Sequence, residues 1–261
     1  MFTLVVSHAI INLRMVSDMM KIFRKAILIV HGFAGGTYDE EELANFLELN
    51  RNFDVFQFTL PGHEKNLSKA NHLDWIKKSE EKIEWLIQNG YNNIYVIGHS
   101  MGGVIATYLA VKYKEVKKLV LAAPAFQYLK VIKEKINLID SLKATPKVVK
   151  TYGGDEIIAR LLKLGPGAVK EFMNLTKEYY DYPNEVTCPL LIIQGKNDNL
   201  VPLSSSKYVY DSAKSDFKKL IYVESLTHDV FRGKDSYNIY KIVERFLKKK
   251  INANEKGVYN I

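Results

Sequence analysis

The sequence predicts an α/β fold, a mostly parallel sheet flanked by helices. Short apolar runs rich in Val, Ile and Leu alternate with longer stretches of helical periodicity, a rhythm that implies parallel strands joined by crossover helices. Residues able to do chemistry fall just past the carboxyl ends of those runs, where open α/β sheets place their ligand crevice. A chain of 261 residues can form one such unit with a sizeable core, and 47% apolar with 25% charged residues is ordinary for a globular protein.

The elements follow in order. Residues 1–25 are expected to be an N-terminal extension, least ordered over 1–20. Their apolar stretches are interrupted by His8, Asn12 and Arg14, too short for a membrane span, and they show no signal-peptide pattern; Met19-Met20-Lys21 reads as an alternative start. The first strand spans about 26–30, a helix 38–50, the second strand 53–58 and a helix 73–89, with Asp74 at its start ahead of Trp75. A strand over 93–98, a helix over 100–113 and a strand over 117–122 follow. Residues 125–187 break the rhythm with helical stretches over 128–142, 156–164 and 168–180, Gly153-Gly154 and Gly165-Pro166-Gly167 as hinges, and an accumulation of Phe126, Tyr128, Phe172, Tyr179, Tyr180 and Tyr182. Strands over 189–194 and 219–224 alternate with helices over 204–214 and 236–249, and 251–261 form a tail.

The chemistry is concentrated in a few of the connections. Ile94–Ile97 runs into Gly98-His99-Ser100-Met101-Gly102 and then into a helix, so Ser100 occupies a sharp strand-to-helix turn. Glycines on either side leave room where a Cβ would collide. A serine hydroxyl near neutral pH needs an imidazole to take its proton and a carboxylate to fix the imidazole's tautomer. Asp198 follows the strand Cys188–Gly195, and His228 follows the strand Lys219–Glu224. Asp229 is the rival acid, disfavoured because adjacent residues seldom point at each other's side chains. The loop His31-Gly32-Phe33-Ala34-Gly35-Gly36 is suited to aim the Phe33 amide opposite the Met101 amide, as an oxyanion hole requires. His99 reads as ordering the turn and His63 as a structural loop residue facing the crevice; His8 and His72 show no partner pattern.

With these pieces in place, the chain resembles the α/β-hydrolase superfamily, and within it the compact bacterial carboxylesterases and monoacylglycerol lipases of the serine aminopeptidase-type branch. The matching residues are His31-Gly32-Phe33, Pro61-Gly62-His63, Gly98-His99-Ser100-Met101-Gly102-Gly103, Gln194–Asp198 with Val201-Pro202, and Thr227-His228-Asp229. Many relatives carry glycine directly before that histidine, where this chain has Thr227. The resemblance implies a hydrolase core over 26–124 and 188–250 and a helical cap over 125–187, inserted between the strands ending near 122 and beginning near 189. It implies Ser100, His228 and Asp198 as nucleophile, base and acid, Phe33 and Met101 as oxyanion donors, a small-molecule ester substrate, and neither cofactor nor metal. Peptidase or thioesterase action is the alternative within the fold. A non-catalytic binding protein of the same fold is disfavoured because all three triad residues are kept.

Cys188, the single cysteine, excludes an internal disulfide and points to a reducing, cytoplasmic setting; next to Pro189 it reads as a packed thiol. The net charge of +8 comes from lysines read as spread along helix faces, as in Lys77-Lys78, Lys117-Lys118 and Lys218-Lys219, with one compact run at 248–250. That pattern argues against nucleic acid and leaves only a weak attraction to anionic lipid surfaces.

Overall fold

The computed structural model describes residues 24–50, 53–63, 69–127, 166–233, 235–250 and 252–261. The expectations for residues 1–23 and for helices over 128–142 and 156–164 lie outside them. Seven strands form one sheet in the order β2-β1-β3-β4-β5-β6-β7, and every pair is parallel. They are β1 (Lys25–Val30), β2 (Phe53–Gln57), β3 (Ile94–His99), β4 (Val116–Ala122), β5 (Leu190–Gly195), β6 (Lys218–Val223) and β7 (Gly257–Asn260). The helices are α1 (Glu41–Glu48), α2 (His72–Gln88), α3 (Met101–Lys112), α4 (Pro166–Glu178), α5 (Leu203–Ser212) and α6 (Ser236–Lys248).

Successive side chains of a strand point to opposite faces, so a sheet covered on both sides needs apolar residues at nearly every position. Along β1, Leu28 and Val30 join one core with Trp75, Ile83, Val104 and Leu109 of α2 and α3, while Ile27 and Ile29 join another with Leu43, Leu47, Ile239 and Val243 of α1 and α6. Helix composition follows position. All of α3 from Met101 to Leu109 is buried, and it is apolar all round; α6 buries Ser236 at its start and then the stripe Ile239, Tyr240, Val243, Phe246 and Leu247. At the head of α2, the Asn71 side chain accepts from the Asp74 N–H at 2.9 Å and Asp74 accepts in return from the Asn71 N–H at 3.0 Å, a reciprocal cap that places Asp74 at the helix start as expected.

The chain passes from β1 outward to β2 and then back across β1 to β3. That reversal opens a crevice at the carboxyl ends of β1 and β3, between the loop after Val30 and the turn after His99.

Two sequence expectations are corrected. Lys117 and Lys118 lie in β4, and Lys218 and Lys219 open β6, so these pairs are not on helix faces. Lys118 points inward: it is buried, and its ammonium donates to the carbonyl oxygens of Phe246 (2.7 Å), Leu247 (3.1 Å) and Lys249 (2.8 Å), closing the carboxyl end of α6, where a cation is favoured. The tail also contributes a strand. β7 is short and alternates half-buried with exposed residues, so no apolar run announces it.

Replacing Lys118 by Met would leave three helix-end carbonyls without their buried donor. Lys118→Met is expected to cost about 1–3 kcal/mol, read as a lower urea midpoint with unchanged slope.

Candidate active site

Ser100 stands between β3 and α3 with φ 55° and ψ −117°, one of three non-glycine residues with positive φ among those described. That conformation is sterically costly for an L-residue and persists only where surrounding packing imposes it. The packing is visible atom by atom. A Cβ on Gly98 would lie 2.4 Å from the Gly102 carbonyl oxygen, and one on Gly102 would lie 2.1 Å from the Val30 carbonyl oxygen. Both are far inside contact distance, so only glycine lets α3 start against β1 and β3 within one residue of the strand end. The turn is held by Ser100 N–H donating to Ala122 O at 2.9 Å and by Ala125 N–H donating to Ser100 O at 3.1 Å.

The loop after β1 meets this turn directly: a Cβ on Gly32 would be 3.2 Å from the Ser100 Cβ. His31 is fixed as a neutral ring. Its Nδ1–H donates to Gly32 O at 2.8 Å, its Nε2 accepts from the Leu60 N–H at 3.0 Å, and burial pushes its pKa down to about 4. His63 packs edge-on against His31, Phe33 and Trp75, and burial lowers it to about 3. Phe33, the first expected oxyanion donor, follows Gly32 beside the Ser100 turn, with its ring stacked on Phe172 of α4, centroids 4.9 Å apart. Met101, the second, begins α3. No described residue accepts a hydrogen bond from the backbone N–H of either.

The loops after β5 and β6 are laced together. Lys196 N–H donates to Val223 O at 2.9 Å and Asn197 N–H to Leu226 O at 3.0 Å, and a Cβ on Gly195 would lie 2.2 Å from Leu226 O. This closeness brings His228 to Asp198: His228 Nδ1 donates to Asp198 Oδ2 at 2.9 Å. The other oxygen, Oδ1, accepts from the backbone N–H groups of Leu200 (2.8 Å) and Val201 (2.9 Å), and Gln194 Nε2 donates to Oδ2 at 3.2 Å. Burial works against the charge of Asp198, but the neighbouring His228 and these donors outweigh it and hold the carboxyl below its usual range. Asp198, not Asp229, is therefore the carboxylate bonded to the His228 ring.

Sequence reasoning missed some of the polar framework. Gln194, wholly buried, braces Asp198. Glu40 sits in the acidic run Asp39–Glu42, yet its side chain is entirely buried and Glu40 Oε1 lies 2.9 Å from His99 Nδ1. Cys188 is partly buried against the core, and burial pushes its thiol up to about 12, in keeping with the packed reading. His72 has partners after all: Nδ1 lies 2.7 Å from Glu171 and Nε2 2.9 Å from Glu178, both on α4. They are a hundred residues away along the chain, beyond any local pattern.

The strained serine between strand and helix, the order Ser100, Asp198, His228 along the chain and the parallel sheet define an α/β-hydrolase. The chain matches the serine aminopeptidase S33 family over residues 22–235 and belongs to it. It is 23% identical to a carboxylesterase of Bacillus subtilis over 86% of this chain and 93% of that one. It is 24% identical to a monoacylglycerol lipase of Mycolicibacterium smegmatis, over 80% and 82% respectively. Its fold superposes with a TM-score of 0.69 on one of two metagenome-derived lipolytic enzymes, 19% identical, over 87% of this chain and 94% of the other. The chain is a hydrolase whose relatives group it with the carboxylic ester hydrolases. No helix among the described residues is long and apolar enough to cross a membrane.

The His72 contacts carry a pH signature. Donating to both carboxylates requires an imidazolium; burial opposes that charge, but Glu171 and Glu178 outweigh it and raise the His72 pKa. A raised value means that the contact stabilises fully below the unfolded histidine pKa of about 6.5 and is lost as pH climbs through the folded value. Amide exchange across α4, corrected for its intrinsic pH dependence, is expected to accelerate from pH 6 to pH 9. In His72→Ala it should already be fast at pH 6 and insensitive to pH.

Proposed function

We propose that this protein hydrolyses carboxylic esters through an acyl-enzyme on Ser100. Ser100 Oγ attacks the ester carbonyl while His228 Nε2 takes its proton, and Asp198 fixes the ring tautomer and stabilises the imidazolium through Nδ1. The Phe33 and Met101 amides receive the oxyanion. His228 then protonates the departing alkoxide, the alcohol leaves, and a water activated by the same ring releases the acid and restores Ser100. The observation that carries this reading is the 2.9 Å bond between His228 and Asp198, made by two loops laced together beside a nucleophile turn under strain.

Residues 125–187 act as a cap over the serine in this reading, and the substrates are short or medium acyl esters or monoacylglycerols. The names of the carboxylesterase and monoacylglycerol lipase relatives support that choice. Phe172 of α4, stacked on Phe33, supports an apolar acyl site beside the oxyanion loop. The family's aminopeptidase name keeps peptide cleavage as the alternative. A weak attraction of the lysine-rich surface to anionic lipid would suit a monoacylglycerol substrate.

Ser100→Ala is expected to abolish labelling by a fluorophosphonate and lower p-nitrophenyl ester turnover by roughly three orders of magnitude or more. Asp198→Asn should do comparable damage and Asp229→Asn far less; the reverse ranking would reassign the acid. Chelators should leave turnover unchanged.

Along a p-nitrophenyl ester series, kcat/KM should rise about fourfold per methylene, on the order of 0.8 kcal/mol each, until the chain outgrows the site. Aminoacyl p-nitroanilides should be poor substrates. A flat series with fast anilide cleavage would favour the aminopeptidase.

A further inference from the structure

His228 is gripped at two points. Its ring is held by Asp198, and its backbone carbonyl oxygen lies 3.0 Å from Nε2 of His99. A carbonyl only accepts, so His99 Nε2 carries a proton, and a second proton lies between His99 Nδ1 and Glu40 Oε1. The pair is enclosed. Glu40 is 0% exposed and its second carboxyl oxygen has no hydrogen-bond partner among the described residues. Burial works against a charge on His99, but Glu40 outweighs it and lifts the imidazole to about 9; burial likewise raises Glu40, with His99 opposing. Burying such a pair is costly, and apolar residues of similar volume often serve stability as well or better.

Its location shows what it connects. Glu40 ends the loop that carries Phe33 and stands directly before α1; His99 is the last residue of β3, directly before Ser100; His228 belongs to the loop after β6. A chain of polar contacts thus runs from the oxyanion loop through the nucleophile turn to the base, without touching the reacting atoms.

We propose that Glu40 and His99 are positioning residues for the general base: Glu40 fixes the His99 ring, and His99 Nε2–H fixes the main chain of His228 relative to Ser100. The inference rests on the reading of Ser100 and His228 as nucleophile and base. Asp198 sets the rotation and tautomer of the His228 ring, but a ring on a mobile backbone still swings, and displacing a catalytic group by about 1 Å costs on the order of a hundredfold in rate.

The test uses two amides. Gln at position 99 can present its Nε2 near the place of the imidazole Nε2 and keep the bond to the His228 carbonyl. Asn matches only the Nδ1 side and cannot reach it. His99→Asn is expected to lower kcat for a p-nitrophenyl ester by roughly ten- to a hundredfold with KM within about threefold. His99→Gln should recover most of the loss. Glu40→Gln should lower kcat in the same sense but less. Equal kcat in the Asn and Gln variants, or wild-type kcat in His99→Asn, overturns the positioning role while leaving Ser100 as nucleophile. A wild-type enzyme that does not label with a fluorophosphonate at Ser100 overturns the esterase reading and this one with it.

Discussion

The structure depends on one close approach, that of α3 to the ends of β1 and β3. A helix that begins within one residue of its strand cannot tolerate side chains where backbone meets backbone, and Gly98 and Gly102 remove them. Ser100 then takes the strain that remains, at φ 55°. The rest is arranged around that turn: Gly32 lets the loop after β1 lie against it, Ala122 and Ala125 fasten it to β4, and the register of β3 with β1 sets how far it projects. The two cores on either face supply the stability from which this local cost is met.

Around the turn, the polar groups are ordered by the balance of burial against the charges that face them. His31, His63, His99 and His228 lie within a small volume, and the surroundings separate their roles. At His31 and His63 burial dominates and keeps the rings neutral, even with the charge of Asp39 acting on His31, whereas Glu40 counters burial at His99. Asp198 stays ionised because four donors converge on its oxygens. The same ring thus stays neutral or shares a second proton according to what faces its nitrogens.

Most of the sheet was legible in the sequence, and so was the pairing of His228 with Asp198. Buried parallel strands need continuous apolar runs, and turn chemistry confined Ser100, Asp198 and His228 to strand ends. β7 escaped because an edge strand covered on one face needs no such run. Glu40, Lys118 and His72 escaped for a different reason. Each is a charged or titratable residue whose partner lies far along the chain, and hydrophobic patterning treats it as solvated until the fold brings the partner in. Gln194 and His99 stand inside recognisable motifs, but a motif shows which positions matter, not which backbone carbonyl a side chain will find.

β4 and β5 are neighbours in the sheet, with Leu119 opposite Leu190 and Ala123 N–H donating to Ile193 O at 2.8 Å, so the chain between them leaves the sheet and returns to nearly the same place. Closing such an excursion costs entropy that grows only with the logarithm of its length, about 0.6 kcal/mol per doubling. Descendants of this fold can therefore lengthen, shorten or exchange that excursion almost freely while the strand register and the His228 loop stay fixed. If that excursion shapes the acyl site as proposed, substrate preference can drift with its length, while the strand-to-helix turn is held by the far slower clock of buried glycines.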